Sequence, residues 1–189
     1  AKRNKLHVIE DTAKALGAEY IFKDGTRKKA GTIGTIGCKS FFPSKNLGCY
    51  GDGGAMFTND EALAKKIRMI ANHGQEVTYY HDVVGVNSRL DSIQAAVLRI
   101  KLRKLDEYAK SRNLVAAYYD NAFGNHPELN IPVRSKNSTH VFHQYTLITT
   151  KIDRDALKEF LLKKDIPSMI YYPVPVHLQK AYINKDYNK

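Results

Sequence analysis

From Ser40 to Gly54 the chain reads SFFPSKNLGCYGDGG, and few folds accommodate that order of residues. An apolar, aromatic run able to form a strand stops at Pro43, and Lys45 follows just before a glycine-rich turn. Gly51, Gly53 and Gly54 supply backbone freedom that other residues lack there. Upstream, a second apolar run, Leu6-His7-Val8-Ile9, stops at Glu10-Asp11. Neighbouring short strands that end in an amine and a carboxylate put both groups at the carboxyl edge of an α/β sheet, where such sheets hold ligands. A lysine amine in that place can attack a carbonyl carbon, and the carboxylate can hold a cationic partner.

With 189 residues, 43% of them hydrophobic and 26% charged, the chain can bury a core and form one large domain or one and a half smaller ones. No apolar run approaches the roughly 20 residues of a membrane helix, so no membrane partner is expected. The basic start, Ala1 to Lys5, leads into a strand and an acidic pair, unlike a signal peptide. Cys38 and Cys49 have neither disulfide-framework nor metal-ligand spacing, which suits a reducing cytoplasm and implies no metal site. The net charge of +11 raises the question of a polyanion. The basic residues of 64–68 and 101–104, however, alternate with core-spaced apolar ones, and no basic run carries the stacking aromatics of a single-strand binder. No nucleic-acid partner is expected; the positive field suits attraction of a phosphorylated small substrate.

The pattern predicts a short buried strand at Val8-Ile9, a helical turn or short helix over Thr12 to Leu16, and a hairpin about Asp24-Gly25. Strands follow at Thr35 to Phe42 and Ala55 to Thr58. Asp60 then caps a helix whose apolar residues Leu63, Ile67, Ile70 and Ala71 recur at helical spacing until His73-Gly74. Residues 75–87 read as a loop. A long helix is expected over 88–123, with a break near Ser111 as the alternative. Beyond Gly124 come a strand at Val141 to Ile148, an amphipathic helix at Arg154 to Lys164, a strand at Met169 to Tyr172, and a fraying end at 184–189. The fold class is α/β. The expected division is 1–87, the C-terminal part of a large domain with a mixed, mostly parallel sheet; 88–123, a long connecting helix; and 124–189, a small α+β domain.

Taken together, residues 8–17, the 40–55 stretch, Gly85 to Asp91, His140 to Tyr145 and Tyr171 to His177 closely resemble the motifs of the DegT/DnrJ/EryC1/StrS family of nucleotide-sugar aminotransferases. The five segments occur in family order across nearly the whole chain. The resemblance implies a fold-type-I enzyme that uses pyridoxal 5'-phosphate to put an amino group on a nucleotide-linked keto-sugar, with glutamate as the expected amino donor. The lysine motif looks most like those of enzymes acting on UDP-linked 3-oxo sugars in surface-polysaccharide pathways.

On that resemblance Lys45 is the Schiff-base lysine and proton carrier, against the plain alternative of a solvated loop lysine. Asp11 pairs with the pyridinium nitrogen, caps the following turn, or does both. Ser40 matches the serine that bonds the cofactor phosphate. Asn87 matches an asparagine that reaches the cofactor of a neighbouring subunit, which implies a homodimer with a shared active site; otherwise it is a turn residue. Arg89 either holds an anionic group of the substrate or pairs with Asp91. His143, Tyr171 and His177 are candidates for the substrate pocket. Lys14 departs from the pattern, standing where the family usually carries the glutamine or histidine that bonds the cofactor's phenolic oxygen.

The family chain is also roughly twice as long, the size of a two-domain enzyme, so this sequence corresponds to its C-terminal half. By itself it is expected to leave sheet edges and apolar faces uncovered and to be inactive or nearly so. Two other readings stand beside transamination: a dehydratase on the same fold, which typically replaces the lysine with histidine, and a non-catalytic sugar-sensing or binding module, which has no need of Asp11, Ser40 and Lys45 together.

Overall fold

The computed structural model describes residues 1–183; the expected fraying of 184–189 lies outside the described residues. Compactness groups the chain into two units, 1–125 with 131–147 and 126–130 with 148–189, in place of the expected division at 87 and 123. In the first unit β1 (Ile9–Asp11) runs parallel to β4 (Ile36–Ser40), with Asp11 opposite Cys38. The connection between them carries the antiparallel hairpin of β2 (Glu19–Ile21) and β3 (Arg27–Lys29), turning at Asp24-Gly25 as expected. On its other side β4 pairs antiparallel with β5 (Gly54–Phe57), giving the sheet order β1-β4-β5. Among the described residues β1 and β5 have no further strand partner, so both outer edges of this sheet are open. Ile9, expected to be buried, is 69% exposed.

Thr12 to Leu16 form consecutive turns and no helix: Ala15 N–H donates to Thr12 C=O and Ala18 N–H to Ala15 C=O. The Thr12 hydroxyl instead donates to Cys38 C=O at 2.8 Å, tying this segment to β4. Loop 30–34 is clamped over the same strands by Glu10, whose carboxylate accepts from the N–H groups of Gly31 (2.9 Å), Ile33 (2.7 Å) and Gly34. Lys39, buried beneath, donates to Ala30 C=O at 2.7 Å. A side chain at Gly37 would run into the backbone of Gly31, so the close approach of this loop to β4 requires glycine there.

Asp60 caps α1 (Glu61–Ala71) by accepting from Leu63 N–H. The loop expected at 75–87 contains a short irregular hairpin, β6 (Gln75–Val77) with β7 (Tyr80–His81). The single long helix is two: α2 (Ser92–Leu102), capped by Asp91, and α3 (Leu105–Phe123). The break falls at Arg103-Lys104, not near Ser111, and Leu98 before it and Leu105 after it both belong to the core formed with Phe41, Leu47 and Cys49. Residues 137–139 return along β2, with Ile21 N–H on Asn137 C=O and Thr139 N–H on Glu19 C=O.

In the second unit β8 (Leu129–Asn130) pairs antiparallel with β9 (Ile148–Thr149), and α4 (Arg154–Leu162) follows, capped by Asp153. Val141 to Leu147 form no strand; the carbonyls of Val141, Phe142 and His143 accept from side chains instead, as described below. Met169 to Tyr172 form no strand either; Tyr172 has φ of 50°, which an extended strand does not permit. Among the described residues no helix is long and apolar enough to cross a membrane.

Partial burial pushes the Glu10 carboxyl up, but the N–H groups of Gly34, Gly31 and Ile33 and the charge of Lys39 hold it below the usual range. A carboxylate depressed in the folded state stabilises above its unfolded pKa and loses that stabilisation as pH falls through the folded one. Glu10→Gln is therefore expected to lower stability by about 1–2 kcal/mol at pH 7. The deficit should close at acid pH below the range of folded carboxylates. Denaturant melts of both proteins at several pH values check this.

Candidate active site

Lys45 sits in a loop held by its own neighbours. Phe41, Leu47 and Cys49 are buried on either side of it, Cys49 to 1% exposure. Cys49 N–H donates to Phe41 C=O at 2.8 Å, its thiol donates to the carbonyls of Phe41 and Gly51 at 3.0 Å, and Lys45 N–H donates to Phe42 C=O at 2.8 Å. From α2, Lys101 donates to Gly48 C=O, and Gln94 accepts from Tyr50 N–H at 2.7 Å. The loop backbone is therefore fixed while the Lys45 side chain stays half-buried, with no hydrogen-bond partner among the described residues.

Asp11 and Ser40 end the adjacent parallel strands β1 and β4, on the same side of the sheet as the Lys45 loop. Asp11 accepts from Ala13 N–H through Oδ1 at 3.1 Å, the local turn cap, which leaves its second oxygen for a ligand. Ser40 Oγ accepts a long bond, 3.3 Å, from Phe42 N–H. Asn87 pairs with Asn72 in an isolated bridge, and its side-chain oxygen accepts from Arg89 Nε at 3.2 Å. Arg89 thus turns to Asn87, and Asp91 is occupied as the cap of α2. Tyr171 and His177 belong to the second unit.

Sequence reasoning missed most of the wall beside Lys45. Residues 140–145 cross the first unit without regular structure, their carbonyls held by side chains. Asn46 Nδ2 donates to Val141 C=O at 2.9 Å, Arg112 to Phe142 C=O at 3.0 Å, and Asn113 to His140 C=O at 2.8 Å. Lys14 donates to Gln144 Oε1 at 3.0 Å. Phe142 adopts φ of 39°, a strained conformation for a residue with a side chain, and such strain gathers where surroundings over-determine the backbone. The result is an open cleft of about 600 Å³ with Lys45, Asn46, His143 and Gln144 on one side and α3 on the other. Burial, then the charges of Lys45, Lys14 and Arg112, push the His143 imidazole below its ordinary pKa, so it is neutral at pH 7. Burial and a hydrogen bond to Asp120 push the Tyr145 phenol up to about 12. The sequence signals for this wall were the His140 to Tyr145 motif and the 40–55 stretch that holds Asn46; Arg112 lies in neither.

A family model described as the DegT/DnrJ/EryC1/StrS aminotransferase family matches residues 1–189, and the chain belongs to that family. It is 45% identical to a pleiotropic regulatory protein of Geobacillus stearothermophilus, over 100% of this chain and 50% of that one. It is 43% identical to the UDP-2-acetamido-2-deoxy-3-oxo-D-glucuronate aminotransferase of Pseudomonas aeruginosa, over 96% and 48% of the respective chains. Among solved structures, DesV of S. venezuelae in complex with a ketimine intermediate superimposes with a TM-score of 0.88 at 43% identity, over 96% of this chain and 47% of that one. The structural likeness assigns the fold as part of a pyridoxal-phosphate aminotransferase domain. The chain spans about half the length of the curated relatives it matches.

Arg112→Ala removes the donor that holds the carbonyls of Phe142 and His143. It is expected to cost about 1–3 kcal/mol and to raise amide exchange selectively over 140–145. Hydrogen-exchange mass spectrometry reads both the size and the location of the effect.

Proposed function

We propose that the protein containing this chain transfers an amino group from an amino acid, glutamate in the first instance, to a nucleotide-linked keto-sugar, using pyridoxal 5'-phosphate. The observation that carries this reading is the convergence of Asp11, Ser40 and the loop of Lys45 at one edge of a parallel strand pair, in a chain of this family. The residues present fit the cofactor. A carboxylate with one oxygen uncommitted suits a pyridinium N–H, a hydroxyl at the strand end suits a phosphate, and a partner-free amine suits an aldehyde. When bound, the cofactor supplies an electron sink for the substrate carbon that loses and regains a proton.

Asp11 would keep the ring nitrogen protonated, Ser40 would anchor the phosphate, and Lys45 would hold the aldehyde and afterwards move the proton. The fixed loop backbone restricts where the Lys45 amine can travel, which is the orientation such a transfer requires. Lys14, bonded to Gln144, would bring a second cation to the phenolic side. Arg89, His143, Tyr171 and His177 would contribute to sugar-nucleotide binding. The UDP-3-oxo sugars of surface-polysaccharide synthesis are the favoured class, as named for the Pseudomonas relative. Free thiols at Cys38 and Cys49 suit a cytoplasmic setting.

A homodimer with a shared site belongs to the same reading. Asn87 lies beside a segment with an unusual share of exposed apolar surface, Tyr79 at 87% and Val84 at 97%, and such surface marks an interface. The name of the Geobacillus relative favours one second reading, a regulatory module that keeps the fold without turnover. Added pyridoxal phosphate is expected to give a visible absorption band that Lys45→Ala abolishes and Asp11→Asn shifts or weakens. A band insensitive to Lys45→Ala would favour the regulatory reading.

A further inference from the structure

Lys14 and Gln144 meet across 130 positions of sequence, the lysine donating from Nζ to Oε1 at 3.0 Å in a part-buried contact. Lys14 stands in the turn that follows Asp11, and that turn is itself fixed. Ala13 N–H donates to Asp11 Oδ1, and the Thr12 hydroxyl donates to Cys38 C=O. Gln144 stands in the wall beside Lys45, next to His143, and both line the cleft. The contact therefore joins the segment that carries Asp11 to the segment that flanks Lys45. A hydrogen bond with an ionised donor is stronger than a neutral one, and more so where water is partly excluded.

The same contact fixes where the Lys14 charge lies. Cations from three elements act on His143: Lys45 of the loop, Lys14 of the turn and Arg112 of α3. Arg112 is tied to the carbonyls of Phe142 and His143, and Lys14 is tied to Gln144. Lys101 of α2 lines the same cleft, bonded to Gly48 C=O. Among the described residues no carboxylate lines the cleft, and nearby Asp120 is engaged by Tyr145 and Arg134. Burial first, and these charges second, keep the imidazole neutral. Protonating it would add one more cation beside Lys45.

We propose that Lys14 is a positioning residue of the active site: bonded to Gln144, it holds the turn after Asp11 against the wall beside Lys45 and fixes its own ammonium next to His143. Lys14 acts through Gln144 and His143 and needs no contact with substrate. Without the bond the Lys14 charge is free to move toward solvent, and the two segments lose a tie. The active-site part of this assignment rests on the aminotransferase reading; the contact and its effect on His143 do not.

Histidine titration followed by NMR in the cofactor-free protein tests it. Lys14→Met removes the charge and the bond, Gln144→Met removes only the bond, and Lys14→Arg keeps both. The His143 midpoint is expected to rise in both methionine variants, because fewer or more distant cations favour the imidazolium. It should stay near the wild-type value in Lys14→Arg. Half-saturation of the Lys45-dependent band is expected to need several-fold more pyridoxal phosphate in the methionine variants. Melting curves show which variants are intact, and the two methionine variants keep the result from hanging on one protein's folding. An unchanged His143 midpoint in both intact variants would overturn the proposal. So would a rise in Lys14→Met with none in Gln144→Met, since the charge alone would then suffice. Unchanged half-saturation in both would overturn the active-site role. Absence of the band in the wild-type protein would instead count against the aminotransferase reading, while the His143 titration still reads the contact.

Discussion

The burial of Phe41, Leu47 and Cys49 around Lys45 is the constraint from which the rest of the first unit follows. Their side chains join Leu98 and Leu105 in one core, so the two helices that follow must lie against this loop. Here the apolar residues on either side sink while Lys45 stays half-exposed, and hydrophobic burial does the positioning. The thiol of Cys49 contributes as well, closing the loop onto Phe41 and Gly51.

A second, polar layer depends on the first. Once α3 is docked, Arg112 and Asn113 reach the carbonyls of residues 140–143, and Asn46 reaches Val141 from the loop itself. These bonds replace a strand ladder and draw His143 and Gln144 to the side of Lys45. Lys14 closes the arrangement from the turn after β1. Residues 130 positions apart in sequence thus meet at one cleft, and the left-handed conformation of Phe142 is tolerated because its surroundings leave it no alternative.

Local signals read correctly wherever the deciding interaction was local. Asp60, Asp91 and Asp153 cap helices through contacts within three residues, and Asp24-Gly25 turns a hairpin. The reading failed where distant partners decide. Val141 to Leu147 has strand-like composition, but its first three carbonyls accept from the side chains of Asn46 and Arg112. The helix expected over 88–123 breaks at Arg103-Lys104.

The sequence alone determined the family, because membership rests on ordered motifs spread along the chain, and those motifs are what single out Lys45, Asp11 and Ser40 as the residues to test. It also determined the hairpin turn at Asp24-Gly25 and the helix starts at Asp60, Asp91 and Asp153, since turn and cap chemistry are local properties. Only the tertiary structure decided which side chains line the cleft beside Lys45. Arg112 lies outside every motif, and the motifs holding Asn46 and Gln144 do not show what those side chains meet. Their places arise from the hydrogen bonds that the folded chain sets between residues far apart in sequence.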